Sequence, residues 1–444
     1  MTHDNRLRLD TLASSSKIQE YKYKTKSYVH FDRKVSFRRV KNKVKDPCWI
    51  AQHGFYPFIH FQIRFNKYIK KNNMKKTKER EIFYASHIDS FIYKYYGDLL
   101  NNRYNEIVKN LGTDQVATAY RNNLEGKSNV DFAKEVIDFI RQQDNAYIYV
   151  TDFTSFFDNL DHKYLKEKLK EVLNVKTLPD DFFAVFKNIT KYSWIEKEDI
   201  DREMNNKGLD NRAKLSRYFS NEKEFREFKK RNIHDNKKSY GIPQGAGISS
   251  VCSNIYLFEF DRLLNNHVQE LNGLYRRYCD DLIIVIPTED IDNFDRKSLT
   301  NFVDNLRGSI PRLEIQPEKS EELYYSNNVI LDLNRSSTKL NYLGFSFDGY
   351  NVRIREKSLF KYYCRAYKKV RICNRLTKKS QQKAQRKSLF KNYTHLGKRS
   401  KGHGNFLTYA TRAQQTFDKN KTTNNLMEHQ VKNHWKRIIS RLEN

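Results

Sequence analysis

Two adjacent carboxylates, Asp280 and Asp281, stand in Tyr278-Cys279-Asp280-Asp281, and the apolar run Leu282-Ile283-Ile284-Val285-Ile286 leads out of them. Neighbouring anions repel, and aspartate is a poor strand former. The cost is offset where hard oxygen ligands converge on a divalent cation of the Mg²⁺ kind. A third carboxylate, Asp152, closes the apolar, β-rich run Tyr147-Ile148-Tyr149-Val150. Carboxylates at strand ends can be gathered by strand pairing. A pair of ions held that way clamps the attacking and leaving oxygens of phosphoryl transfer. Taken singly each residue has a plainer reading: Asp-Asp as a solvated turn, Asp152 as a helix cap. Between them lies the turn Gly241-Ile242-Pro243-Gln244-Gly245.

The elements that must position these groups follow from apolar periodicity. Helical spacing recurs over 88–100, 132–140 and 164–172, and again from 248, with Ser249 or Ser250 as cap. Asp158 and Asp161 read as caps of the helix after Asp152. The run 55–68 fits helix or strand, 70–80 reads as a basic loop, and 176–238 as a polar, mostly helical insertion. After the Asp-Asp hairpin come a helix at 292–306 and strands at 314–315, 329–333 and 342–347. Beyond 350 the pattern is basic helices and loops. This order predicts an α+β fold, an antiparallel sheet packed on helices, and not a doubly wound one.

Charge is unevenly spread. The 444 residues carry a net +30. Residues 1–80 hold 21 Lys/Arg against 6 Asp/Glu, and residues 351–444 hold 25 against 4, while 81–350 hold 37 against 43. Basic flanks around a slightly acidic centre suit a polyanion gripped at both ends and metal held in the middle. Aromatic residues at 14% exclude a disordered chain. No apolar stretch is long enough to span a membrane and no secretion signal stands at the start, so no membrane partner is expected. Five scattered cysteines without a C-x-x-C pair argue against zinc or disulfides and fit a reducing cytoplasm.

In this order the motifs resemble the reverse transcriptases, over roughly residues 75–350. The resemblance implies a right-hand polymerase: a basic arm at 1–45, fingers at 46–145, a palm at 146–350 containing the insertion 176–238, and a basic helical thumb at 351–444. It makes Asp152, Asp280 and Asp281 catalytic, with Asp152 and Asp280 the principal ligands of two Mg²⁺ (Mn²⁺ as substitute), Asp281 an auxiliary and the Phe153 carbonyl a helper. Phe157 falls where the family excludes a ribose 2′-OH. Gln244 and Gly245 lie beside template and nucleotide. Arg80, in Lys78-Glu79-Arg80, and Lys319 would meet the triphosphate, Arg because its planar fork pairs two phosphate oxygens. Tyr278, Arg121, Leu343 and Gly344 would contact nucleic acid, the last two in the hairpin that grips the primer end. Tyr362, Tyr363 and Tyr367 among basic residues suggest stacking with phosphate contact. Expected partners are an RNA template, dNTPs and a DNA product, with a partner protein or homo-oligomer as a further expectation.

No RNase H and no cysteine-rich endonuclease module follow, and the retron signatures are missing. A compact polymerase with a basic C-terminal region is similar to the bacterial defence-associated and abortive-infection enzymes, as is the spelling Thr151-Asp152-Phe153-Thr154-Ser155-Phe156-Phe157-Asp158. Two other readings stay open: untemplated, protein-templated or protein-primed synthesis at the same site, and a catalytically silent nucleic-acid-binding scaffold.

Overall fold

The computed structural model describes residues 22–69, 74–209, 215–380, 386–399, 402 and 404–442. Ser14 to Ser16, Tyr21 and most of the arm's first half lie outside them.

Its centre is a five-stranded antiparallel sheet. β3 (Asn145–Asp152) pairs on one side with β7 (Asp281–Pro287) and on the other with β8 (Glu321–Ser326). β6 (Leu274–Tyr278) flanks β7, and β9 (Val329–Leu331) flanks β8, giving the order β6-β7-β3-β8-β9. β-branched and aromatic side chains favour these strands, and their alternation feeds two cores. Tyr147, Tyr149, Leu282, Ile284 and Ile286 enter one cluster, while Ile148, Ile283 and Val285 enter another. Burial on both faces explains why 282–286 reads as unbroken apolar sequence.

The first core is closed by α3 (His87–Asn110), α9 (Ser249–Tyr256), α10 (Phe258–Glu270) and α11 (Arg296–Gly308), and the second by α4 (Asn129–Arg141) and α14 (Phe406–Asp418). The helix starting after 248 has no serine cap. Ile248 stands at its N-cap, and the Ser249 hydroxyl donates to the Pro243 carbonyl at 2.8 Å. Asp161 does cap α5 (His162–Leu173), accepting from the Tyr164 amide at 2.9 Å.

Three expectations change. The segment read as a basic loop is mostly strand: β1 (Phe58–Ile69) and β2 (Met74–Tyr84) form a long hairpin in register from Ile59↔Tyr84 to Ile69↔Met74. The insertion is divided: its first helix, Asp180–Thr190, packs Phe182, Val185, Phe186 and Ile189 into the first core with Tyr147 and Tyr149, and its strands join the hairpin. Its β4 (Ser193–Glu196) pairs in parallel with β1, and β5 (Ile233–Asp235) pairs with β4, so it completes the fingers sheet β2-β1-β4-β5. The basic arm is docked where it is described. Val29 and Phe31 pack with Ile195, Met204 and Phe228 of the insertion, an apolar core that local periodicity could not reveal.

The boundary at 350 also cuts a sheet. β10 (Leu340–Tyr342), β11 (Phe345–Phe347), β12 (Asn351–Ile354) and β13 (Asn424–Asn425) are hydrogen-bonded in that order. The basic C-terminal helices α12 (Glu356–Ser380), α13 (Lys387–Tyr393) and α16 (His434–Ile439) gather around a small core of their own, while α15 (Met427–Val431) sends Met427 and Val431 into the second core.

Candidate active site

Strand pairing gathers the acidic residues. Asp152 ends β3 directly opposite Asp281, the first residue of β7, which is also opposite Tyr278 at the end of β6. Directly opposed residues project to the same face of a sheet. The Phe153 amide donates to the Asp280 carbonyl at 3.1 Å, tying the two motifs through backbone as well. Cys279 adopts φ 63°, the left-handed conformation that turns the chain sharply between β6 and β7.

Asp152 is buried, and its two oxygens differ. Oδ2 accepts from the Lys319 ammonium, while Oδ1 has no hydrogen-bond partner. A buried, unpaired carboxylate oxygen is costly unless something cationic meets it. Burial pushes the Asp281 carboxyl up to about 6, with the charges of Asp280 and Asp152 adding to it and Lys319 and Arg355 opposing. Both observations describe an anionic cluster short of positive charge. Among the described residues no three acidic, His or Cys side chains converge as a complete metal cage, and Lys319 supplies the cation that Asp152 contacts. The oxygen-only donor set fits a hard divalent ion.

Phe157 and Gln244 are brought together by the Gly241–Gly245 turn. The Ile242 amide donates to the Phe157 carbonyl and the Gly241 amide to the Leu160 carbonyl, each at 2.9 Å. The Gln244 backbone carbonyl accepts from the Phe83 amide at 3.0 Å. Asp158 lies inside the short helix Phe156–Asn159 and is not the cap of the helix that follows, whose N-cap is Asp161. Gly245, at φ 121°, lies so near β2 that a Cβ would stand 2.3 Å from the Phe83 carbonyl oxygen. The turn thus docks the fingers onto the palm. Arg80 is exposed on the same strand, opposite Ile63.

Leu343 and Gly344 form the tip between β10 and β11, both with positive φ. Asn129 Nδ2 donates to the Leu343 carbonyl at 2.8 Å and to the Tyr409 hydroxyl at 3.2 Å, and the Arg355 amide donates to the Gly344 carbonyl at 2.9 Å. Tyr278 is half-buried near Phe132, ring centres 6.3 Å apart.

Two expectations fail. Arg121 is not at a nucleic-acid surface: its fully buried side chain binds Asp114, Asn105 and the Ala117 carbonyl. Four hydrogen bonds from its guanidinium hold the loop before α4. Tyr362 is buried and stacked on Phe406, and Tyr367 lies under Arg441 at 4.1 Å, so these rings are core or covered.

Sequence reasoning also missed the support of the Asp-Asp turn. Arg277, with no exposed surface, donates from Nε to Asp261 Oδ1 and from Nη1 to the Cys279 carbonyl, each at 2.8 Å. The Tyr275 hydroxyl donates to the same Asp261 oxygen at 2.8 Å. A signal was present: Asp261 falls on the apolar stripe Phe258-Asp261-Leu264, and Arg277 shares the inward strand face of Tyr275. Arg355 is a second omission, a charge whose field reaches Asp281 and Glu321.

A five-stranded antiparallel sheet with aspartates at one end, docked to a fingers hairpin through a Gly-x-Pro-Gln-Gly turn, is the palm of a right-hand polymerase. Residues 69–347, more than half of the chain, match the profile of the reverse transcriptase (RNA-dependent DNA polymerase) family, and the chain belongs to it. Among solved structures, the apo telomerase from Candida tropicalis truncated from its C-terminal domain is similar at 14% identity and TM-score 0.40, with 64% of this chain and 54% of that one covered. The telomerase from Candida albicans in complex with a TWJ fragment of telomeric RNA is similar at 12% identity and TM-score 0.39, covering 90% and 65%. The chain thus spans between half and two thirds of the length of those proteins. No curated protein matches it.

Proposed function

We propose that this protein is an RNA-directed DNA polymerase that extends a primer on an RNA template with dNTPs. The observation that carries the reading is the pairing of Asp152 with Asp281 at the sheet end, with one Asp152 oxygen unpartnered. In this reading Asp152, Asp280, Asp281 and the Phe153 carbonyl hold two Mg²⁺, or Mn²⁺ in substitution. Such ions, when bound, lower the pKa of the primer 3′-OH and neutralise the leaving pyrophosphate.

The chain's own residues do the rest. Arg80 and Lys319 bind triphosphate oxygens, and the Lys319 ammonium hands a proton to the departing pyrophosphate. Phe157 fills the space beneath C2′ of the sugar. Gln244, held through its backbone by the Phe83 amide, and Gly245 keep backbone close to the templated pair. The Leu343–Gly344 tip positions the primer end. The basic C-terminal region grips an A-form duplex through its backbone and 2′-OH groups.

We further propose a role in bacterial antiviral defence in the cytoplasm, supported by the spelling of the first motif and the compact basic C-terminus. Primer extension on a defined RNA template tests the polymerase: wild type should incorporate dNTPs in Mg²⁺ and Asp280→Asn should not. Equal incorporation by both, or none by either on good primers, would sink it. Phage plating on cells carrying wild type or Asp280→Asn tests the defence role, which fails if the two protect alike.

A further inference from the structure

Away from the carboxylates, a cavity of about 560 Å³ opens among the C-terminal helices. Its lining residues fall between Phe390 and Trp435, inside the basic C-terminal region that the polymerase reading uses as a duplex grip, with no role given to any one of them. The volume lies within the range of small-molecule and nucleotide pockets. Its wall is aromatic: Phe390 and Trp435 stand with ring centres 5.1 Å apart, and both are only partly buried. Leu396 borders it with 67% of its surface exposed, an apolar side chain left largely uncovered among the described residues.

The rim is cationic. Lys398 and Lys432 line the cavity, both exposed and, among the described residues, neither in an ion pair. One carboxylate, Glu428, accompanies them. The surrounding region, 351–444, carries 25 Lys/Arg against 4 Asp/Glu. An apolar ligand would use the wall and leave the ammoniums idle. A phosphate alone would use the lysines and leave the aromatics and Leu396 wet. An unpaired nucleotide satisfies both, its base against the rings and its phosphates on the lysines, as single-strand binders combine stacking with a basic track. A base within a duplex is stacked on its neighbours and is not available to such a pocket.

We infer that the cavity bounded by Phe390, Trp435, Lys398 and Lys432 is a second nucleic-acid site, taking an unpaired nucleotide of a single strand. Held there, a flanking single strand is kept apart from the duplex at the palm. RNA and DNA share the base and phosphate chemistry, so the site accepts either unless a 2′-OH partner is present.

The test is equilibrium binding of the full-length protein to short labelled oligonucleotides across a salt series: single-stranded RNA, single-stranded DNA of the same sequence, and a blunt duplex. Trp435→Ala should weaken single-strand binding about tenfold, the scale of one base–aromatic stack, and leave the duplex unchanged. Because Trp435 is partly packed, the exposed pair Lys398→Ala/Lys432→Ala is the control for folding. It should lower the slope of log affinity against log salt by up to about 1.4 for single strands. Wild-type affinity and slope in the double variant would overturn the proposal, as would equal losses on single strand and duplex, or a protein ligand as occupant with nucleic-acid binding untouched. Stronger binding of RNA than DNA would add a 2′-OH contact. Asp280→Asn should bind as wild type, so failure of the polymerase reading and failure of this one are separable.

Discussion

Lys319 and Asp152 form an ion pair across the end of the central sheet, and it leaves the other Asp152 oxygen buried without a partner. The pair joins a residue after the Gln316 turn to the last residue of β3, fixed further by the Gln316 amide on the Asp152 carbonyl at 2.9 Å. An ammonium in contact with a carboxylate of this cluster is a movable cation. It can exchange its carboxylate for phosphate oxygens when other positive charge arrives.

Divalent cations should therefore stabilise the fold through these residues. Raising Mg²⁺ to about ten times its dissociation constant contributes about 1.4 kcal/mol, a rise of about 2 °C for a domain of this size. Asp152→Asn and Asp280→Asn should lose most of that rise while melting cooperatively. Differential scanning calorimetry with and without Mg²⁺ checks it, and equal rises in all three proteins would place the ion elsewhere.

The buried Arg277–Asp261 pair should matter twice, for stability and for the turn. Removing one partner leaves an uncompensated buried charge and costs about 3–5 kcal/mol, so Arg277→Met and Asp261→Asn should both show lowered urea midpoints. Combining Arg277→Met with Asp261→Leu should restore part of that stability. Turnover should stay low in the double variant, because the Cys279 carbonyl still lacks its donor. Recovery of kcat along with stability would show that the pair serves folding alone.

Gly245 should not tolerate a side chain. Alanine there meets the Phe83 carbonyl at 2.3 Å and must also hold φ 121°, which costs about 1–3 kcal/mol in backbone strain before any clash is relieved. Gly112 offers the contrast: φ is 69° and nothing lies within 4 Å of its Cβ. Gly112→Ala should cost about 1 kcal/mol and leave primer extension intact, whereas Gly245→Ala should lose both stability and extension.

Two neighbours in the docked arm should give opposite pH dependences. Burial pushes His30 down to about 3, so between pH 6.5 and 3 the unfolded chain binds a proton that the folded one refuses. Stability from this group falls as pH falls, by at most about 1.4 kcal/mol per pH unit. Burial pushes Asp32 up to about 6, although it accepts from the His87 and Ile88 amides at 3.0 Å. Between pH 3.8 and 6 the folded state holds the extra proton, and stability from this group rises as pH falls. Relative to wild type, His30→Gln should gain stability from pH 6 to 4 and Asp32→Asn should lose it, read from urea midpoints. Parallel shifts of the same sign would contradict the burial argument.

Phe157 should govern the choice of sugar. Removing the ring in Phe157→Ala should raise the relative use of ribonucleotides by about 10²-fold, the limit of discrimination against one added hydroxyl. Competition between dNTPs and rNTPs in primer extension measures it, and an unchanged ratio would assign selection to another residue.

What the sequence by itself determined was local. Alternation marked β3 and β7, turn residues marked Gly241–Gly245, and the awkwardness of Asp280-Asp281 in an apolar setting marked a site. Those signals reside in neighbouring residues, and burial on both faces of the sheet made them strong. Only the tertiary structure decided which distant groups meet. Asp152 faces Asp281 because β3 lies between β7 and β8. Lys319 reaches Asp152 because the chain returns at Gln316. Arg121, indistinguishable in sequence from a phosphate-binding arginine, is enclosed by Asp114 and Asn105. The insertion read as one helical unit, yet two short strands, too brief to register against helical surroundings, join the β1–β2 sheet while its first helix packs under the central one. Pairing across a hundred residues has no local periodicity, so long-range hydrogen bonds and desolvation set it, and no spacing along the chain records it.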